Sequence, residues 1–389
     1  MMRFFGPVPR NALLAILGAL PLAFCLGFYQ VAFTVFLPLE GISVTDLGAL
    51  LTTAGLSSVL FSIPFAILSD RYGRKGIMFL GGFLTSLISI IPGITQSFLI
   101  LEASAVIGGI GDAMYLATWN AYLADSTTED ERPATFSLSF MVFTVASGIG
   151  SAVPGLFHFL PLSLDLAHRL FFVTLGVLSL LTPFSVIKWV TDKKREFSHS
   201  GILPRKSLGI IAKFSSANLL IGLGAGLIIP LIPTWFYLRF NVTDEFSGPL
   251  LAVTYIVMGL AAGLSPRISK RCGLVGGVVL TQLLSTLFLI AMPFSPTPEV
   301  AASLYVVRST LMNMANPLSD SFIMNLIAED ERATASSFNA VVWRLPNAAS
   351  TVVGGSLLNA GNLSSPFYLC AGLYAVSVLL FYGLFRKVK

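Results

Sequence analysis

Glu129-Asp130-Glu131-Arg132 returns letter for letter as Glu329-Asp330-Glu331-Arg332, 200 positions later in a chain of 389 residues. Outward from this tetrapeptide the offset persists. Arg71-Tyr72-Gly73 is matched by Arg271-Cys272-Gly273 and Pro154-Gly155 by Gly354-Gly355; with a slip of two, Val44-Thr45-Asp46 is matched by Val242-Thr243-Asp244. A chain that repeats at half its length is two copies of one unit. If that unit is a membrane bundle, a ligand site is expected between the copies.

Composition says which kind of unit it is. Apolar residues make up 55% of the chain and charged residues 11%, against about 25% charged in a soluble domain. Segments of about 20 mainly apolar residues, each able to cross roughly 30 Å of hydrocarbon, recur from end to end. Twelve are predicted: 12–37, 46–69, 76–93, 97–123, 132–160 and 167–190, then 209–239, 246–266, 274–293, 298–326, 332–360 and 365–385. The expected fold is an all-α membrane protein of two six-helix bundles, residues 1–190 and 209–389, joined by a polar cytoplasmic linker over 191–208.

Charge supports the topology. Of the 24 Lys and Arg, twenty fall in the tails, the inward loops or the adjoining helix ends if both termini are cytoplasmic. Arg169 and Arg239 lie at outward ends, and Arg308 and Arg344 within helices. This is the positive-inside distribution of a multi-pass plasma-membrane protein. It accounts for the net charge of +5 without nucleic acid, since no basic patch stands apart from the loops. The first helix is too long for a signal-peptide core and is expected to be retained. Cys25, Cys272 and Cys370 form no pair that reads as a disulfide or metal clip. Thr243-Asp244 reads as a helix cap.

Proline and glycine interrupt several helices: Pro154-Gly155, Pro230, Pro233, Pro317 and Pro346. Gly259 and Gly263 form a small-xxx-small face that admits a neighbouring helix.

The loop after the second helix reads Ala66-Ile67-Leu68-Ser69-Asp70-Arg71-Tyr72-Gly73-Arg74-Lys75. An acid, a tight turn at Gly73 and three bases make an ion-pair node, whose partner should be the other charged loop, Asp125 to Arg132. The segment resembles the signature loop of the major facilitator superfamily, Gly-x-Leu-x-Asp-Arg-x-Gly-Arg-Lys. Ala66 replaces the first glycine and the remaining defined positions match. The second copy is degenerate, with Lys270 in the place of Asp70.

The resemblance covers essentially the whole chain. It implies twelve helices around a central cavity, with the first, fourth, seventh and tenth lining it, and transport by alternating access. It also implies that Asp70 contacts the cytoplasmic end of the eleventh helix when the cavity opens outward. Arg71 or Arg74 would pair with an acid at the end of the fourth, here Asp125. Arg132, Asp320 and Arg332 complete the expected cytoplasmic gate. Two subfamily motifs depart from the pattern. Ala105 stands where a fourth-helix arginine would, and Ala146-xxx-Gly150-Ser151-xx-Pro154-Gly155 keeps two glycines of the drug-antiporter motif.

Charges buried in spans carry the chemistry, because a charge at bilayer depth costs at least about 2.5–3.5 kcal/mol on insertion scales. Asp112 lies near the middle of the fourth helix, Arg344 near the middle of the eleventh and Arg308 in the tenth. Asp112 could carry a coupling proton, pair with an arginine as an electrostatic lock, or make a structural polar contact. Arg308 or Arg344 could neutralise an anionic substrate or pair within the protein. Asp112, Tyr115 and Trp119 share a helix face, as do Asn313, Asn316 and Asp320. Tyr29, Gln30, Asn339 and Trp343 complete the expected cavity lining.

The chain is therefore expected to be a monomeric secondary transporter, proton coupled, exporting small amphiphilic compounds. The alternative is uptake or exchange of a small organic anion. Its partners are a small-molecule substrate, protons and the lipid bilayer. His158, His168 and His199 lack metal spacing, and no nucleotide loop or hydrolase motif occurs. Neither an enzyme nor a cofactor or metal is expected, and a channel would not need a duplicated gating loop.

Overall fold

The computed structural model describes residues 8–128, 130–191, 207–262, 265–327 and 332–386. Glu129, the second copy's Glu329 to Glu331, Gly263 and most of the linker lie outside these, as do the side chains of Pro317, Asp320 and Arg332. No strand occurs among the described residues.

Twelve helical units run through them: α1 (Arg10–Leu39), α2 (Val44–Tyr72), α3 (Arg74–Ile94), α4 (Phe98–Asp125), α5 (Arg132–Ala152, continued as a 3-10 stretch Val153–Phe159), α6 (Leu164–Trp189), α7 (Leu208–Phe240), α8 (Asp244–Ala262), α9 (Ser265–Ala291), α10 (Pro298–Leu326), α11 (Arg332–Asn359) and α12 (Ser365–Phe385). Nine of them, all but α8, α10 and α11, are long and apolar enough to cross a membrane on length and composition alone. Arg308, Asn313 and Asn316 on α10, and Asn339, Arg344 and Asn347 on α11, lower the mean hydropathy of those two. Such residues are tolerated where a helix faces protein or a cavity. Elsewhere Leu99, Leu287 and Leu379 lie largely exposed, as side chains against lipid do.

Some of the expected breakers interrupt their helices, whereas α10 and α11 run on through positions 317 and 346. Pro154 turns the end of α5 into the 3-10 stretch. Pro230 interrupts α7 at Ile229–Leu231, since proline supplies no amide to the ladder. Gly73, between α2 and α3, has φ of 100°, and its repeat partner Gly273 has φ of 72°. A side chain at either would be strained.

The described chain divides into two compact units. The first is Met1–Ile42, Thr53–Ser198 and Thr243–Ala252; the second is Ser43–Thr52, His199–Val242 and Val253–Lys389. The first turns of α2 and α8 thus each belong with the other sequence half. Within the first unit, α1 packs on α5 and α3 on α4; within the second, the repeat-related pairs are α7 on α11 and α9 on α10. Backbones touch at these crossings. A Cβ on Gly27 would collide with the Ser147 carbonyl, and one on Gly150 with that of Phe24. Gly226 and Gly354 do the same for α7 and α11, against Asn347 and Leu227.

Overpacking of this kind costs about 1–3 kcal/mol, so Gly27→Ala and Gly150→Ala are expected to lower the thermal midpoint in detergent. Gly372→Ala, on a helix face with nothing within 4 Å, should be neutral or slightly stabilising. Equal melting of all three would refute the backbone-contact account.

Candidate functional site

The first unit contains a cavity of about 270 Å³ between α1, α3, α4 and α5. This is close to the lower end of about 300–1,000 Å³ for small-molecule pockets. It is lined by the predicted face of α4, with Asp112, Tyr115 and Trp119, and by Phe136, Phe140 and Phe143 of α5.

Glycines set the position of that α4 face. A Cβ on Gly109 would run into the Ala54 carbonyl and lie 2.7 Å from the Ser57 side chain, so α4 lies against α2 at backbone contact. One turn on, Asp112 accepts a hydrogen bond of 2.6 Å from the Ser58 hydroxyl. On the other side, Gly81 of α3 admits the backbone of Tyr115, whose amide nitrogen would be 2.6 Å from an added Cβ. Tyr115 and Trp119 stack at 5.7 Å with an interplanar angle of 15°. Trp119 donates its indole N–H to Ser139 of α5 at 3.1 Å. The Tyr115 hydroxyl is buried without a hydrogen-bond partner among the described residues, an unmet demand that a ligand could satisfy. Asp112 is half buried and makes no ion pair among the described residues.

A second cluster sits at the far end of the same helices. Arg74, largely buried, reaches Asp125 at 2.6 Å and Asp70 at 2.8 Å, and also donates to Ser69 at 3.3 Å. One guanidinium thus ties the ends of α2, α3 and α4. Arg71 instead lies over the ring of Tyr72, and Arg132 donates to the Ala124 carbonyl at 3.4 Å. The repeated tetrapeptide closes a turn ahead of α5. Glu131 accepts from the amide and hydroxyl of Thr128, both at 2.9 Å, which holds its carboxyl below the usual range. The second copy has Ala328 in the place of Thr128.

Other candidates go elsewhere. Tyr29 stacks on Phe33 at 4.7 Å and meets Phe172 of α6 edge-on, and Gln30 lies on an exposed face. In the second unit, Arg308 is buried, donates to the Tyr374 hydroxyl at 3.0 Å, and has its Nε without a partner among the described residues. Asn313 donates to Ser309 and receives from Asn316; Asn339 receives from Asn218 at 2.8 Å. Trp343 and Arg344 are exposed. The Asp244 carboxylate lies 2.7 Å from His168. Ser58, Ser139, Thr85 and the α5 phenylalanines carry no sequence signal of their own; the face of α4 is the feature from which their helices could have been sought.

A multi-pass helical bundle with an aromatic cavity and a charged turn between α2 and α3 fits a membrane transporter. The sequence model of the Major Facilitator Superfamily matches residues 15–214 and 214–389, and the chain belongs to that family. It is similar to the Quinolone resistance protein NorA of Staphylococcus aureus (strain MSSA476), 21% identical over 354 residues and covering 89% of each chain. It is also similar to the Probable 4-methylmuconolactone transporter of Cupriavidus pinatubonensis, 25% identical over 357 residues, 86% of this chain and 81% of that one. Its fold is that of the nucleoside transporter NupG, with a TM-score of 0.78 at 13% identity over 98% of this chain and 100% of that one. The chain is a secondary transporter of small molecules in the plasma membrane, and its relatives are transporters rather than enzymes.

Arg74→Gln removes the cation from two carboxylates, one of them largely buried, and is expected to destabilise the fold by roughly 3 kcal/mol. Arg74→Lys, which keeps the charge but loses the fork, should fall between. A thermal midpoint for Arg74→Gln equal to the parent's would contradict this.

Proposed function

We propose that this chain exports small amphiphilic compounds in exchange for protons, with Asp112 carrying the proton and the stacked Tyr115 and Trp119 holding the substrate. The observation that carries the reading is a half-buried carboxyl facing an aromatic cavity, with no cation paired to it among the described residues. Ser58 takes one carboxyl oxygen and leaves the other for a proton or a substrate donor. A bare carboxylate at bilayer depth costs at least about 2.5–3.5 kcal/mol, and either a proton or a cationic group relieves it. Relief by one removes the need for the other, which makes their binding competitive, as exchange requires. Export is supported by the likeness to a protein named for quinolone resistance. Both termini and the Arg74 cluster are assigned to the cytoplasm on the distribution of basic residues.

One observation favours a second reading, transport of an organic anion. Arg308 is a buried guanidinium that makes no ion pair among the described residues, and such a group suits a carboxylate or phosphate.

Proteoliposomes with an imposed pH gradient distinguish the two. Asp112→Asn is expected to reduce gradient-driven accumulation of ethidium at least tenfold while leaving ethidium exchange intact. Unchanged driven flux would sink the assignment of the proton to Asp112. Loss of transport in Arg308→Ala for anionic compounds alone would favour the second reading.

A further inference from the structure

At the end of the first unit opposite the Arg74 cluster, His168 of α6 and Asp244, the first residue of α8, form a pair in which neither side chain is exposed. His168 Nε2 lies 2.7 Å from Asp244 Oδ2, and Nδ1 lies 2.8 Å from the Leu164 carbonyl oxygen. Phe36 stacks on the ring at 4.8 Å and Phe157 meets it edge-on at 5.0 Å.

The geometry fixes a proton count. A carbonyl oxygen only accepts, so Nδ1 carries a hydrogen. At 2.7 Å, Nε2 and Oδ2 need a second hydrogen between them, either on an imidazolium or on a carboxylic acid. A bare nitrogen against a carboxylate would be two acceptors in contact. The closed pair therefore holds one proton more than a neutral histidine beside an ionised aspartate.

The surroundings offer no substitute for that proton. In the first unit this end also carries Asp165 and Arg169 on α6, Glu40 after α1, Glu102 on α4, Glu245 on α8 and the exposed His158 on α5. Arg169 is already held by Glu40 and Asp165, both at 2.6 Å. Asp244 Oδ1 is buried without a hydrogen-bond partner among the described residues. A pair kept only for stability would satisfy that oxygen.

The pair also sits where helices fasten. Gly248 packs on the Ser151 carbonyl and Gly155 on Pro249, so the start of α8 lies on the end of α5. The same crossing recurs 200 positions away, in the second unit, between α2 and α11, where Gly48 meets Thr351 and Gly355 meets Val44. There, at the 200-residue offset, Val44 stands in the place of Asp244, its amide capped by Asn359 at 3.2 Å, and Tyr368 in the place of His168; Asp46, which the two-residue slip matches to Asp244, is bonded to Ser43 instead. One of two matched crossings carries a titratable fastener.

We propose that His168 and Asp244 form a proton-binding latch: a shared proton fastens the first turn of α8 to α6, and its loss releases that turn. This places a second proton site in the chain, apart from Asp112. It presumes that α8 parts from α6 during alternating access, the cycle proposed above. Apart in water, an imidazole titrates near 6.5 and a carboxyl near 3.9. Above about pH 6.5 the separated pair holds no proton, so closure takes one up and the closed-to-open ratio falls by up to tenfold per pH unit. Between about pH 4 and 6.5 the separated pair already holds one proton, and the ratio is flat.

Double electron–electron resonance tests this without substrate, so its result does not depend on what the chain transports. Spin labels go on Leu162→Cys and Val242→Cys in a Cys272→Ser background, in nanodiscs. The separated population is expected to rise by up to tenfold per pH unit above about pH 6.5. Asp244→Asn, whose amide can donate to a bare Nε2, should keep the short distance and lose the slope. Asp112→Asn should keep the slope. If Asp244→Asn does not fold, His168→Gln, which can donate to Asp244 without a shared proton, takes its place with the same expectation. A distribution independent of pH in the parent, a slope that survives in both pair variants, or one abolished by Asp112→Asn would each overturn the latch.

Discussion

Helices surrounded by lipid have no hydrophobic drive toward one another, so contact between them depends on dispersion, which falls off within an ångström of the optimum. In this chain that contact is backbone on backbone. Gly27 and Gly150 join α1 to α5, Gly226 and Gly354 join α7 to α11, and Gly109 joins α4 to α2. Each brings a carbonyl into space that a methyl group would fill. The remaining features follow from where those contacts put the side chains one turn away. Ser58 reaches Asp112 because Gly109 has no Cβ, and the α4 aromatics meet α5 across a cavity because α1 and α5 cross tightly at the other wall.

The two copies use a common frame for different chemistry. In the first, the polar groups of α4 face an open volume and some remain unsatisfied, as Tyr115 shows. In the second, amides pair with one another, Asn339 receiving from Asn218 and Asn313 from Asn316, while Arg308 holds Tyr374 and keeps its Nε without a partner among the described residues. A packed polar network resists repacking, whereas an aromatic cavity with few fixed donors adapts to ligands of varied outline. The charged turn between the second and third helices of each copy diverges as well, with Asp70 against Lys270 at equivalent positions.

Much of this was legible in the chain itself. Helix count, repeat offset and family follow from hydropathy, the Glu-Asp-Glu-Arg duplication and the Asp70-to-Lys75 loop, because each depends on local pattern. The α4 face was legible for the same reason: Asp112, Tyr115 and Trp119 are related by helical periodicity alone. What that face meets was not. Ser58 and Ser139 are ordinary serines until a crossing places them, and Tyr29 turns toward Phe172 of α6 because α1 packs there rather than toward the cavity. His168 and Asp244 are 76 positions apart, in different copies. Read singly, one is a histidine without metal spacing and the other a helix-start acid. Pairing over such a distance leaves no trace in one sequence.

The glycines at 48, 155, 248 and 355 have a further consequence. Gly48 of the first copy packs beside Gly355 of the second, and Gly248 of the second packs on the segment that holds Gly155 of the first. Position by position, the same pairing occurs once within each unit, with the roles of the copies exchanged. The copies have drifted apart in charge and cavity, yet at these crossings a change in one copy is met by the other: a methyl on Gly48, Gly248 or Gly355 meets the other copy's backbone, and one on Gly155 its proline ring.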